Sequence, residues 1–150
     1  MEYRYKIDMA TPEDVEAIVN FQLAMARESE GLELDYATVR EGVKAAVSDS
    51  DKATYLVARD ADGTVLGSMM LTTEWSDWNN CDYYWIQSVY VRPESRHQGV
   101  FRELFGFARA IAEAEGNGTL RLYVDKGNTA AQEVYHRLGM RESHYLIYEQ

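Results

Sequence analysis

The sequence predicts a mixed α/β domain, and three observations carry that prediction. Strand and helix signals follow one another in the order β-α-α-β-β-β-α-β-α-β along 150 residues. One β run passes through a short loop with a single glycine straight into an amphipathic helix. The length suits one domain spanning 1–150, large enough to bury a real core, with no internal repeat or linker to divide it.

Arg4–Met9 reads as a first strand. Thr11-Pro12-Glu13-Asp14 then opens a helix, with a hydroxyl at the cap, proline at the first position and acids in the first turn. Val15, Ile18, Val19 and Gln22–Met25 continue it, and Val39, Val43, Ala46 and Val47 mark a second helix. Thr54–Arg59 and Val65–Thr73 flank Asp60-Ala61-Asp62-Gly63, a hairpin signal. Glu74–Asn80 reads as a polar and aromatic loop, and Tyr83–Val91 as a β run closed by Pro93. Phe101, Leu104, Phe105, Ala108, Ile111 and Ala112 trace a helical stripe that Gly116-Asn117-Gly118 stops. Leu120–Val124 alternates as a strand. Ala131, Val134, Tyr135 and Leu138 form a short helix, and Ser143–Tyr148 is expected as the last strand.

Composition narrows the function classes. Hydrophobic content of 46% and charged content of 27% are ordinary for a globular protein. No apolar run approaches the ~18 residues of a membrane span, and the opening residues lack the build of a signal peptide. A cytoplasmic protein is expected. The formal net charge is −10, all of it before Arg92, because residues 92–150 balance. Nucleic acid is therefore not an expected partner. The acidic half suits a cationic substrate or serves solubility, and the neutral half tolerates an anionic cofactor. Cys81 is the only cysteine and lacks an activating partner, and His97, His136 and His144 lack metal-site spacing, so no metal is expected.

The stretch from Val89 to Phe101 carries the chemistry. A strand, a one-glycine loop and a helix start aim several backbone N–H groups and the positive end of a helix dipole at one spot. That spot suits a pyrophosphate. Arg96 adds charge, and Gly99 lets the backbone approach closely. Residues 92–109 hold four Arg against two Glu.

This segment resembles the acyl-CoA-binding motif of the GNAT superfamily of N-acetyltransferases, Arg/Gln-x-x-Gly-x-Gly/Ala after a strand. Arg96 and Gly99 match it, whereas Phe101 is bulky where the family has a small residue. A second family pattern follows as Asn128-x-x-Ala131-x-x-x-Tyr135-x-x-x-Gly139-Met140. The resemblance implies a central mixed sheet of about six to seven strands with four helices, its central strands splayed. It implies acetyl-CoA as acyl donor, with Val89, Tyr90 and Val91 along the pantetheine arm. It also implies His97, Gln98, Gly99, Val100, Phe101 and Arg102 around the pyrophosphate beside Arg96, Asn128 on the pantetheine, and Tyr135 as proton donor to the departing thiolate.

An amine must be neutral to attack a thioester, and a lysine-like amine loses roughly 4.6 kcal/mol to deprotonation at pH 7. Many relatives place a glutamate where this chain has Gln87, which takes no proton. Glu28, Glu30, Glu74 and Asp77 are the candidate bases, and as a set they suit a cation; each is also a carboxylate that solvent would hold. Trp75 and Trp78 offer cation–π surfaces to an acceptor, while Trp85 reads as strand packing. The expected activity is N-acetylation of a primary amine on a cationic small molecule or peptide, by direct attack in a ternary complex. A non-catalytic acyl-CoA-binding module is the alternative. Exposed sheet edges also admit a homodimer.

Overall fold

The structure, a computed structural model, describes residues 4–150. Its elements are β1 (Lys6–Met9), α1 (Val15–Glu30), α2 (Tyr36–Ser48), β2 (Thr54–Arg59), β3 (Val65–Ser76), β4 (Cys81–Val91), α3 (Val100–Glu115), β5 (Leu120–Arg121) and α4 (Thr129–Arg137). The strands lie in the order β1-β2-β3-β4-β5. All pairs are antiparallel except β4 with β5.

Local chemistry starts and stops the helices. Asp14 caps the turn before α1, its Oδ2 accepting the Thr11 N–H at 2.8 Å. Gly31 ends α1 in the left-handed region at φ 63°, and Asp35 caps α2 by accepting the Thr38 N–H at 3.0 Å. Strand alternation then sends side chains to opposite faces of the sheet. On one face Val57, Tyr55 and Tyr90 pack under Ile18, Val19 and Phe21 of α1 and Val43 of α2. On the other, Leu56, Met69, Leu71 and Ile86 meet Val100, Leu104, Phe105 and Ala108 of α3. Leu104, Met69 and Ile18 are fully buried, each stabilising the fold by about 1.5–3 kcal/mol. Gly67 is required where β3 meets this layer, since a Cβ there would stand 2.8 Å from the Tyr90 carbonyl.

Two irregularities shape the site. Ser68 pairs with Tyr90 and Met70 with Gln87, so one residue of β3 faces two of β4 and a bulge forms at Ser88 and Val89. Ser88 sits at φ 51°, a left-handed conformation uncommon outside glycine. Further along, β4 and β5 pair only through Tyr84↔Leu120 and Trp85↔Arg121 and then separate. The parting leaves a cleft between the bulged half of β4 and the chain after Arg121.

The sheet differs from expectation at its ends. Among the described residues it has five strands, because Ser143–Tyr148 forms none, and β5 is shorter than expected at two residues. Tyr145, Leu146, Ile147 and Tyr148 are 61–88% exposed. Tyr-Leu-Ile-Tyr is apolar on both alternating faces, so it needs cover on both sides and a paired edge, and the edge of β5 is only two residues long. The β3–β4 hairpin is longer than expected. Glu74 and Trp75 belong to β3, and only residues 77–80 remain as the turn.

Candidate active site

The site grows from the end of β4. After Val91 the chain makes a short 3-10 turn, Pro93–Ser95, then turns through His97 at φ 62° and Gly99 at φ 87° into α3. The first bond of α3 runs from the Glu103 N–H to the Gly99 carbonyl at 3.1 Å, leaving the N–H groups ahead of it without helical partners. Left-handed residues beside helical ones form a concave array of donors at a helix start. Space is open where a Cβ on Gly99 would lie, so a ligand can approach the backbone. The loop is pinned from behind: the Tyr5 hydroxyl donates to the Gln98 carbonyl at 2.9 Å, and Gln98 Nε2 donates to the Glu94 carbonyl at 2.9 Å. These features fit an anionic group of the pyrophosphate kind.

Arg96 is engaged elsewhere. Its Nε donates to the Val91 carbonyl at 2.9 Å and its Nη2 to Glu28 Oε1 at 3.1 Å, while its guanidinium lies over the Tyr90 ring at 5.3 Å. The side chain ties the end of α1 to the loop, so the backbone donors remain the loop's main feature toward an anion. Glu28 also accepts from the Tyr90 hydroxyl, and these bonds outweigh desolvation to hold its carboxylate below the usual range. Burial and Glu28 together push the Tyr90 phenol up.

The bulge of β4 carries neutral groups. Gln87 Nε2 donates to Thr72 Oγ1 at 2.7 Å. Tyr55, 6% exposed, accepts from Gln22 Nε2 at 2.9 Å and shares a hydrogen bond with Ser88. Burial raises the Tyr55 phenol above its ordinary value. Gln22, Tyr55, Thr72 and Ser88 were not foreseen. The left-handed turn that presents Ser88 follows from register between strands, which no short-range signal carries.

Tyr135 stands on α4, beside the first turn of α3. Its ring meets Phe101 edge-on at 5.9 Å, so the two sequence motifs converge here. Burial pushes its phenol up from its ordinary value, and like any phenol it is protonated at neutral pH. Asn128 caps α4, its Oδ1 accepting the Ala131 N–H at 3.2 Å. Val89 packs with the α3-side core, Tyr90 with the α1-side core, and Arg102 is exposed in the first turn of α3.

The remaining candidates are dispersed. Glu74 accepts from Trp85 Nε1 at 2.8 Å and from Arg121 Nη1 at 3.1 Å. Arg121 in turn lies over Tyr83 at 4.7 Å. Trp85 therefore has a polar partner beyond strand packing. Trp75 and Trp78 are 62% and 94% exposed, and Asp77 is exposed in the same hairpin end. Cys81, where β4 leaves that turn, is seven residues from Ser88, about 23 Å at the rise of a strand. These residues stand apart from the bulge. Glu30 is exposed at the end of α1. Among the described residues no group of three or more His, Cys, Asp or Glu is placed to hold a metal ion.

A bulged central strand, a parallel neighbour that parts from it and a donor-rich helix start define an α/β domain of open, mixed sheet with helices on both faces. The chain belongs to the GNAT acetyltransferase family, whose model matches residues 15–140. It is similar to the crystal structure of a possible acetyltransferase from Clostridium difficile 630 at 38% identity, covering 99% of this chain and 97% of that one, with a TM-score of 0.90. The fold is shared with ribosomal-protein-alanine N-acetyltransferase from Brucella melitensis biovar Abortus 2308 at 15% identity, 99% coverage of both chains and a TM-score of 0.80. It is also shared with a predicted acetyltransferase with acetyl-CoA from Clostridium acetobutylicum at 13% identity, with 97% and 96% coverage and a TM-score of 0.77. No curated protein matches. None of the helices is long and apolar enough to cross a membrane among the described residues.

Proposed function

We propose that the protein is a cytoplasmic N-acetyltransferase, moving an acetyl group from acetyl-CoA to a primary amine in a ternary complex. The single observation that carries this reading is the convergence of the donor-rich start of α3 with Tyr135 through the Phe101 contact. In this reading the backbone N–H groups from His97 to Arg102 hold the pyrophosphate. Val89, Tyr90 and Val91 border the pantetheine arm, and Asn128 lies near it. The neutral amine nitrogen forms a bond to the thioester carbonyl carbon and the C–S bond breaks; the leaving sulfur takes its proton from the Tyr135 hydroxyl, and the proton that the nitrogen loses returns to Tyr135 through solvent. A phenol is protonated at neutral pH and so has a proton to give. The acid excess before Arg92 supports an acceptor molecule of net positive charge.

A second reading, an acyl-CoA-binding module without turnover, is favoured by one observation: Glu28 and Glu74 are both already held by arginines. Steady-state thiol release with acetyl-CoA and an amine panel, run on the wild type and Tyr135→Phe, separates the two. An enzyme loses about 100-fold or more in turnover while still binding acetyl-CoA. A binding module shows acetyl-CoA binding in both proteins and turnover in neither.

A further inference from the structure

The groups around the bulge of β4 are uncharged and hydrogen-bonded to one another. Gln87 donates one amide N–H to Thr72, which orients its carboxamide; the carbonyl oxygen can accept an N–H but cannot take a proton. Beside it, Ser88, Tyr55 and Gln22 form a linked set of hydroxyls and an amide. All of these are dipoles, and dipoles replace the water around a neutral amine far better than around an ammonium ion.

Two of the carboxylates that could serve as a base are already held by arginines, and on the chain after Arg121 Asp125 accepts the Gly127 N–H at 2.7 Å. From α1, Glu28 receives Tyr90 and Arg96. From β3, Glu74 receives Trp85 and, from β5, Arg121. Tyr83 faces Arg121, and Tyr135 on α4 is a phenol facing Phe101. A carboxylate holding an arginine is a weak base and adds little net charge to attract an ammonium. Glu30 lies exposed beyond Glu28, and Asp77 at the far end of the hairpin.

We propose that the acceptor is a weakly basic primary amine of the α-amino class, as on an amino acid or peptide N-terminus, and not a lysine-like or polyamine nitrogen. The proposal rests on the acetyltransferase reading above. The amine sheds its proton to solvent before it meets Gln87, so the rate follows the neutral fraction. At pH 7 that fraction is roughly one in eight for an α-amine of pKa about 7.7–8.0. It is roughly one in 2,500 for a lysine-like amine near 10.4, a difference of about 300-fold.

The test uses two peptides of one sequence, one with a free N-terminus and an acetylated lysine, the other with a blocked N-terminus and a free lysine. The expected kcat/KM at pH 7 favours the free N-terminus by at least about tenfold, after allowing for the greater nucleophilicity of the lysine nitrogen. The rate on the lysine peptide is expected to rise about tenfold per pH unit between pH 7 and 9. Gln87→Glu, checked to bind acetyl-CoA, is expected to raise the lysine peptide's rate at pH 7 and narrow the preference. A lysine peptide used as well or better at pH 7, a flat pH profile for it, or an unchanged preference in Gln87→Glu overturns the proposal alone. Absence of turnover with every amine overturns the acetyltransferase reading and this proposal with it.

Discussion

The two sides of the cleft are built to different standards. The side made by β1–β4 and α1–α3 rests on two buried layers, and α3 alone contributes five buried residues. The other side, from Leu120 onward, has a two-residue strand, and α4 contributes no buried residue. It is fastened by Tyr135 against Phe101, by Leu138 and Met140 packed on the α3 core, and by Arg109 donating to the Leu138 carbonyl at 2.8 Å. Groups suited to grip an anion therefore sit on the well-buried side, while the phenol suited to give a proton sits on the lightly held one. Such an arrangement lets the second side adjust around a ligand at little cost, since local stability follows buried contacts.

The sharpest test of the contrast is an ion pair on the first side. Arg59 donates to both oxygens of Asp14 at 2.8 Å and to Asp8 at 2.9 Å, and Asp14 is only 4% exposed. Burial alone would raise the Asp14 carboxyl, but Arg59 and the Thr11 N–H outweigh it and hold the carboxyl below its usual value. Because the folded value lies below the unfolded one near ~3.9, the contribution is present above pH ~4 and is lost as pH falls through the folded value. Asp14→Ala is expected to cost about 3–5 kcal/mol in denaturant unfolding at pH 7 and to flatten the acid limb of the stability curve.

Matched truncations sharpen the comparison next. Leu104→Ala removes a fully buried side chain and is expected to cost about 2–5 kcal/mol. Leu138→Ala, partly buried at the end of α4, is expected to cost under about 1.5 kcal/mol by the same unfolding measurement. Equal losses would mean that the second side is as firmly held as the first.

The same asymmetry governs what could be read in advance. The stripe Leu104, Phe105, Ala108 was legible because local periodicity and burial agree there. The donor-rich start of α3 was legible because a strand, a glycine and a helix follow one another in the chain. Ser143–Tyr148 misled because β-rich composition states a preference and not a partner. The loop over Glu74 and Trp75 misled for the opposite reason: polar residues continued a strand whose register with Tyr83 and Asp82 is a tertiary fact. Arg96 was legible as a motif residue, but its turn toward Glu28 depends on a helix 68 positions away in the chain.

The smallest expected effect tests the contact that joins the two sides. Phe101, in the first turn of α3, touches Tyr135 edge-on at 5.9 Å and Phe105 at 6.0 Å. An aromatic pair of this kind contributes about 0.5–1.5 kcal/mol beyond area burial, so losing it would lower a rate that depends on Tyr135 about twofold to tenfold. Phe101→Ala is accordingly expected to reduce kcat by that factor, with the affinity for acetyl-CoA nearly unchanged because the backbone donors remain. Phe101→Tyr, which keeps the ring, should restore most of kcat. An acyl donor whose leaving group needs no proton should be used equally by the wild type and Phe101→Ala, because correct placement of the Tyr135 hydroxyl then gains nothing. A loss in kcat of the same size with such a donor would show that Phe101 supports the fold of the cleft and not the position of Tyr135.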